Sequence, residues 1–231
     1  MKRNKEHEDR AGLVAVLKAE GILRDPEVER ALMEVPRHEF VWPSTKRLAY
    51  EDTPLPLGES RQTISAVHMV AMMDELLELR SGLKVLEIGT GSGYHAATVA
   101  EIVALLSQPE ERQGHVYSLE IVHDLVLFAR CNLDRTGYAS RVSVLERDGS
   151  LGYPEAAPYD RVLVTAGSPR IPPPLVEQLV EGGIMVIPVG SEYFYQQLII
   201  GVKRGSGQLD ISEKGGVAFV PLRGKYGWQD H

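Results

Sequence analysis

A glycine-rich turn between a strand and a helix constrains the fold of this chain more than any other feature. The apolar stretch Lys84–Ile88 predicts a β-strand, residues 89–93 (GTGSG) predict a tight turn, and residues 94–106 predict a helix. Glycine lets the backbone bend sharply and lets a ligand approach the main chain closely. Similar turns also serve helix–strand packing alone, so the turn by itself leaves both interpretations open.

Strands and helices alternate after this turn. Further strands are predicted at residues 116–120, 142–145, 161–164 and 184–189, with helices following residue 120 and at residues 175–180. Such alternation requires right-handed crossovers and a mostly parallel sheet covered on both faces. Strands predicted at residues 197–203 and 216–221 flank a glycine-rich turn and indicate antiparallel pairing. We therefore expect a doubly wound, Rossmann-like α/β fold with a C-terminal antiparallel addition.

Helices are also predicted before the sheet. One ends near Gly21, a second begins at Asp25-Pro26, and a third covers residues 65–79 after an irregular loop at residues 50–62. The predicted organisation is a single domain with three parts. Residues 1–82 form N-terminal helices and a substrate and cofactor loop, residues 83–190 form the cofactor-binding α/β core, and residues 191–231 add antiparallel strands.

Composition excludes several classes of protein. The 231 residues contain 25 Lys and Arg against 32 Asp and Glu, and a net charge of −7 argues against binding to nucleic acid. No run approaches the ~18 apolar residues of a membrane helix, and the charged first ten residues do not resemble a signal peptide. Cys131, the single cysteine, excludes an internal disulfide and a thiolate metal site. We expect a cytoplasmic monomer without a metal, bound to neither nucleic acid nor membrane.

The spacing of the glycines and one acidic residue indicate an adenosine ligand. The turn reads G-x-G-x-G, whereas the dinucleotide fingerprint is G-x-G-x-x-G. Glu120 ends the next predicted strand, where a carboxylate can accept hydrogen bonds from both ribose hydroxyls. The turn contains no basic residue, so an adenosine without a phosphate fits better, and S-adenosylmethionine is such a ligand. The alternative is that Glu120 is a solvated charge at a strand end.

Other polar residues lie at or near the ends of predicted elements. Asp148, after the third strand of the core, can accept from an adenine amino group, although Asp-Gly is also a common turn pair. Thr165 ends the fourth strand, at the crevice where doubly wound sheets bind ligands. Ser65 enters a helix and by itself is interpreted as an N-cap. His68 and His95 have no partner at metal-ligand spacing and are interpreted as surface or capping residues.

Several motifs, taken together, resemble those of the protein-L-isoaspartate O-methyltransferase family. They are VPR at residues 35–37, QTIS at 62–65, VLEIGTGSGYHAA at 85–97, YDRVLVTA at 159–166 and FVPL at 219–222. The similarity extends over nearly the whole chain from about residue 12. The glycine turn alone indicates only a class I methyltransferase, whereas the Thr-Ile-Ser loop is specific to this family. Arg61 stands where the family often has glycine.

The resemblance implies methyl transfer from S-adenosylmethionine to the free carboxylate of L-isoaspartyl residues in damaged proteins and peptides. S-Adenosyl-L-homocysteine is then the product, and no metal is involved. Ser65 is implied as the catalytic residue that positions the carboxylate. Cofactor contacts are implied at Thr63, Ile64, Ser65, Glu87, Gly89, Thr90, Gly91, Glu120, Asp148, Gly149 and Thr165.

Two alternatives remain at this point. One is a class I methyltransferase that acts on a small molecule or RNA, although no basic, aromatic-rich patch supports RNA binding. The other is a non-catalytic module that keeps the fold and binds an adenosyl ligand or a partner protein. For the repair enzyme, we expect an extended peptide to lie between residues 50–65 and residues 165–172.

Overall fold

A computed structural model describes residues 2–192, 195–205 and 207–229. Its main elements are six α-helices and nine β-strands within these ranges. The helices are α1 (Lys2–Ala19), α2 (Pro26–Glu34), α3 (Val67–Leu76), α4 (Tyr94–Val103), α5 (His123–Thr136) and α6 (Pro173–Glu177). The strands are β1 (Leu55–Pro56), β2 (Thr63–Ile64), β3 (Lys84–Ile88), β4 (His115–Glu120), β5 (Val142–Glu146), β6 (Tyr159–Val164), β7 (Leu179–Gly190), β8 (Gln196–Arg204) and β9 (Gln208–Val217).

Seven strands form one mixed sheet in the order β5-β4-β3-β6-β7-β8-β9. The first five strands in this order are parallel, and β8 and β9 add antiparallel pairing at the edge. The predicted α/β fold with an antiparallel addition is therefore confirmed. Because β3 lies between β4 and β6, the chain reverses its direction of winding there, and a crevice opens at the carboxyl ends of these strands.

Both faces of the sheet are covered by apolar side chains. Val85 belongs to a large buried cluster that also contains Leu17 of α1 and Leu32 of α2. Leu86, the next residue of β3, belongs to a second buried cluster with Leu175 of α6. Successive strand residues point to opposite faces, so the apolar β3 sequence supports packing on both sides.

The N-terminal helices begin and end at local signals. Asp25 is the N-cap of α2 and accepts a hydrogen bond from the Glu27 amide, and Pro26 occupies the first helical position. Arg30 of α2 forms a 2.8 Å ion pair with Glu101 of α4, which joins this helix to the core.

Several predicted element boundaries differ from those of the structure. The helix predicted at residues 175–180 is present as α6 but lies at Pro173–Glu177, because Leu179 pairs with Tyr159 as the start of β7. The strand predicted at residues 216–221 lies earlier in the chain, as β9 at Gln208–Val217. The helix predicted from residue 94 ends at Val103, whose carbonyl accepts bonds from the Gly82 and Gly114 amides of neighbouring loops.

The loop predicted at residues 50–62 contains a short strand. Leu55 pairs with Ile64 and Pro56 with Thr63, so β1 and β2 form an antiparallel hairpin in front of the sheet. We call residues 55–64 the front hairpin. Its turn contains Arg61 in the left-handed region, with φ of 61°, which explains physically why glycine suits this position. Among the described residues, no helix is both long enough and apolar enough to span a membrane.

Candidate active site

The turn after β3 adopts a conformation that favours glycine. Gly89, Gly91 and Gly93 have φ values of 97°, 55° and 85°. A β-carbon at Gly89 would also collide with the hydroxyl of Thr165, which donates to the Gly89 carbonyl at 2.7 Å. The main chain of the turn is therefore bare on the side that faces the crevice, and a ligand can approach it closely.

Glu120 ends β4 beside this turn and is only 7% exposed. One carboxylate oxygen accepts from the Gly91 amide at 2.9 Å, and the other accepts from the amides of Ile121 and Val122 at 2.9 and 3.0 Å. This is not the environment of a solvated charge at a strand end, so that alternative is wrong. Three amide contacts orient the carboxylate and hold the turn at the same time.

A first cavity opens at the carboxyl ends of the central strands. Its lining combines the glycine turn, Glu120, apolar side chains and a segment from the far end of the sequence. The mixture of apolar walls with few polar groups is typical of small-molecule sites. Predicted residues that line it are Thr63, Gly89, Gly91, Glu120, Gly149 and Thr165.

A second, smaller cavity adjoins the first. Thr63, Gly89, Gly91 and Thr165 line both cavities, which therefore meet at the glycine turn. The second cavity also contains three predicted residues that the first does not, namely Ile64, Ser65 and Thr90.

Ser65 is half-buried and stands one residue before the N-cap of α3. The N-cap is Ala66, so the interpretation of Ser65 as a plain N-cap is wrong. The Ser65 carbonyl accepts from the buried Arg37 guanidinium at 2.7 Å. Its hydroxyl makes no hydrogen bond to the residues that the structure describes, and it is available to a ligand in the second cavity.

Asp148 does not line either cavity. Its carboxylate accepts from the amide and hydroxyl of Ser150 at 2.9 and 2.7 Å, and from the Lys225 amide at 2.8 Å. The neighbouring Gly149 does face the first cavity. The carboxylate is therefore engaged in holding the C-terminal segment beside the site.

Glu87 also lines neither cavity, because it lies fully buried beneath the turn. Its carboxylate accepts from the Ser118 hydroxyl, which is 2.6 Å from the hydroxyl of Thr90. Burial raises the pKa of Glu87 to about 7. His95 is buried nearby with its Nε2 atom 2.9 Å from Asp74, so the expectation of a surface histidine is wrong for this residue.

Because of the Glu87 carboxyl, the free energy of unfolding should fall as the pH rises. Its folded-state pKa of about 7 exceeds the ordinary value of 4.5, so the stabilisation is complete below pH 4.5 and is lost as the pH rises through 7. The expected loss is about 3 kcal/mol in the free energy of unfolding. Glu87→Gln should remove this loss, as denaturant titrations at pH 5, 6, 7 and 8 will show.

The contribution of His95 and a control variant must be considered when these titrations are interpreted. Burial lowers the pKa of His95, but Asp74 outweighs burial and raises it overall, so His95 adds a loss of stability in the same direction above pH 6.5. The part due to Asp74 should persist in Glu87→Gln, whereas the contribution of the Glu87 charge to the raised pKa of His95 is lost. Glu181→Gln changes an exposed carboxyl and should leave the pH profile as in the wild type. An unchanged profile in Glu87→Gln would contradict the assignment.

The sequence interpretation missed part of the lining. Tyr94 and His95 line the second cavity, and residues 220–223 line the first. The motif FVPL at residues 219–222 was a usable signal, because it is one of the segments that resemble the family. His68 is partly exposed and binds Asp52 through both its amide and Nδ1 atoms, each at 2.9 Å.

Comparison with known proteins gives one consistent result. Residues 8–227 match the family model described as protein-L-isoaspartate(D-aspartate) O-methyltransferase (PCMT). The chain is 53% identical over 224 residues to a protein-L-isoaspartate O-methyltransferase of Hyperthermus butylicus, covering 97% of this chain and 92% of that one.

Solved structures agree with this similarity. A structure titled as a protein-L-isoaspartate O-methyltransferase is 31% identical with a TM-score of 0.82, covering 94% of this chain and 67% of the other. Another such enzyme, from Plasmodium falciparum in complex with S-adenosyl-L-homocysteine, is 26% identical with a TM-score of 0.80, covering 93% and 98% of the two chains.

Proposed function

The chain belongs to the protein-L-isoaspartate(D-aspartate) O-methyltransferase family, and on that premise we propose how its residues perform the reaction. The enzyme transfers a methyl group from S-adenosylmethionine to the free carboxylate of L-isoaspartyl residues in damaged proteins and peptides. One observation carries the proposal. Two cavities meet at the glycine turn, and Glu120 lines one of them while Ser65 lines the other.

The first cavity takes the adenosyl part of the cofactor. Its donor set fits that group, since the oriented Glu120 carboxylate can accept from ribose hydroxyls and the turn has no basic residue for a phosphate. Gly149 and Leu222 contribute walls for the base. Glu87 and Asp148 support this site without lining it, Glu87 beneath the turn and Asp148 through the C-terminal segment.

The second cavity receives the substrate carboxylate at Ser65. A carboxylate with an ordinary pKa near ~4 is ionised at neutral pH, so the reaction needs no general base, and we propose that it needs no metal. S-Adenosylmethionine, when bound, supplies a methyl group on a positively charged sulfur. The Ser65 hydroxyl donates to one carboxylate oxygen and leaves the other oriented toward the glycine turn, where both cavities meet.

Exclusion of water is the second contribution of the protein. Charge is neutralised as the carboxylate is methylated, so a drier site favours the reaction. Residues 220–223 cover one side of the first cavity, and the front hairpin covers the boundary between the two cavities. Leu57 of the hairpin comes close to the position that a β-carbon of Gly91 would occupy, at 3.5 Å.

We further propose a single domain in which residues 1–82 and 191–231 pack on the core of residues 83–190. One buried cluster that includes Leu17, Val85 and Leu198 supports this organisation. The proposed enzyme is a monomer that binds neither nucleic acid nor membrane, and its net charge of −7 disfavours binding to nucleic acid. A cytoplasmic location is compatible with the exposed, free thiol of Cys131.

Peptides that differ only in linkage test the function. An isoaspartyl link adds one methylene to the main chain, so a normal aspartyl carboxylate on the same backbone path lies about one bond length out of line. We expect the extended peptide between residues 50–65 and 165–172 to be held through its main chain. The value of kcat/KM should then be at least ~10-fold lower for the aspartyl peptide. Flanking residues should have much smaller effects, which a second peptide set measures.

Radiolabelled methyl transfer distinguishes the alternatives. Equal methylation of aspartyl and isoaspartyl peptides would contradict the repair function and favour a general carboxyl methyltransferase. Transfer only to small molecules or RNA would favour the second class of enzyme. Cofactor binding without any transfer would favour a non-catalytic module.

A further inference from the structure

Arg37 is a fully buried cation whose Nε and Nη2 atoms donate to main-chain carbonyls. Its side chain has 0% exposure. The Nε atom donates to the Ala49 carbonyl at 2.9 Å, and Nη2 donates to the Ser65 carbonyl at 2.7 Å. Within the described ranges no carboxylate forms an ion pair with it. Burying a charge is costly unless hydrogen bonds satisfy it, so these two carbonyls matter to the position of the side chain.

The two carbonyls stand at opposite ends of one segment. Ala49 precedes the front hairpin and Ser65 follows it directly. The hairpin itself has only two paired positions on each strand, and an isolated ladder of this length is weak. The Arg37 guanidinium therefore connects the two ends of the segment from Ala49 to Ser65.

Arg37 also contacts the helix that follows the glycine turn. Its guanidinium carbon lies 4.9 Å from the centre of the Tyr94 ring, and Tyr94 is the first residue of α4. Phe40 packs against the same ring, with centroids 5.8 Å apart. Tyr94 and Ser65 both line the second cavity. One buried side chain thus links the main chain of Ser65 to the element that carries the turn.

We propose that Arg37 is a positioning residue that sets the location of the Ser65 hydroxyl relative to the glycine turn. It accelerates methyl transfer without touching either reactant. This inference rests on the proposed function of Ser65. A purely structural role for Arg37 makes a different prediction, namely lower stability with unchanged turnover in the molecules that remain folded.

Arg37→Lys tests the inference because lysine keeps the charge but lacks the planar fork that reaches both carbonyls. We expect kcat on an isoaspartyl peptide to fall about 10-fold, because a small misplacement of a reacting group is costly. The affinity for S-adenosyl-L-homocysteine should stay within about 2-fold. Arg37→Gln provides a second variant if the lysine variant does not fold.

A double substitution asks whether Arg37 acts through Ser65. If it does, Arg37→Lys combined with Ser65→Ala should be no slower than Ser65→Ala alone, because the hydroxyl to be positioned is already absent. Multiplicative losses of kcat would overturn the proposal.

Amide hydrogen exchange gives a readout that does not depend on activity. Exchange across residues 55–65 should be at least ~10-fold faster in Arg37→Lys, because local opening becomes easier. The matched control is Arg141→Lys. Arg141 is also buried, and it contacts Glu101 and the Tyr138 ring. It directly precedes the edge strand β5 and lines neither cavity.

Arg141→Lys should lower the free energy of unfolding but leave kcat and the amide exchange rates of the front hairpin as in the wild type. Unchanged hairpin exchange in Arg37→Lys would overturn the proposal even if the wild type proved inactive on isoaspartyl peptides. Inactivity of the wild type would instead contradict the proposed function, so the two failures are distinguishable.

Discussion

Ser65→Ala should lower kcat on an isoaspartyl peptide about 100-fold, while the affinity for S-adenosyl-L-homocysteine changes much less. The reason is that the hydroxyl acts where the substrate carboxylate meets the methyl group, and loss of alignment there affects turnover first. Because Ala66 is the N-cap, the loss of ~1 kcal/mol expected for removal of a capping side chain should not occur.

Turnover, calorimetric affinity and thermal stability should be measured on the same preparations. Ser81→Ala, which removes an exposed hydroxyl away from both cavities, serves as the control and should match the wild type. A parallel loss of affinity and turnover would assign Ser65 to cofactor binding alone. Turnover within about 2-fold of the wild type would remove it from the reaction.

Glu120→Ala should weaken binding of S-adenosyl-L-homocysteine by about 10- to 150-fold. A charge-assisted contact to the ribose contributes on the order of 1.5–3 kcal/mol. The substitution also removes the acceptor for the amides of Gly91, Ile121 and Val122, so the turn itself loses support. Isothermal titration calorimetry measures the affinity, and circular dichroism checks that the sheet remains.

Glu146 offers a closely matched control for this variant. It ends the neighbouring strand β5 and pairs in register with Glu120, but it is exposed and contacts His123 at 2.8 Å. Glu146→Ala should leave the affinity unchanged. If Glu120→Ala also bound with unchanged affinity, Glu120 would not belong to the cofactor site.

The central elements could be predicted because their signals are local. Lys84–Ile88 is a short apolar run that ends in glycine, and its bounds as β3 match the prediction. The position of Glu120 follows from the same logic, since parallel strands bring their carboxyl ends to one edge. Resemblance added Ser65, which no periodicity indicates.

The wrong predictions involve elements whose identity depends on distant contacts. β9 is an exposed edge strand with polar residues, so no alternating apolar pattern marks it. Leu179 and Val180 are apolar and fit either a helix or a strand, and pairing with β6 decides between them. Asp148 is oriented by the amide of Lys225, 77 residues later, which no local pattern reveals.

Residues 220–223 are synthesised near the end of translation, so the first cavity is completed late. The Gly167 amide donates to the Val220 carbonyl and the Leu222 amide to the Gly167 carbonyl, so this segment is held against the end of β6. A ribosome adds about 5–20 residues per second, so the segment follows β6 by roughly 3–12 s. During that interval the nascent chain has the glycine turn but lacks one wall of its cavity, and the cofactor cannot stabilise the growing chain through a complete site.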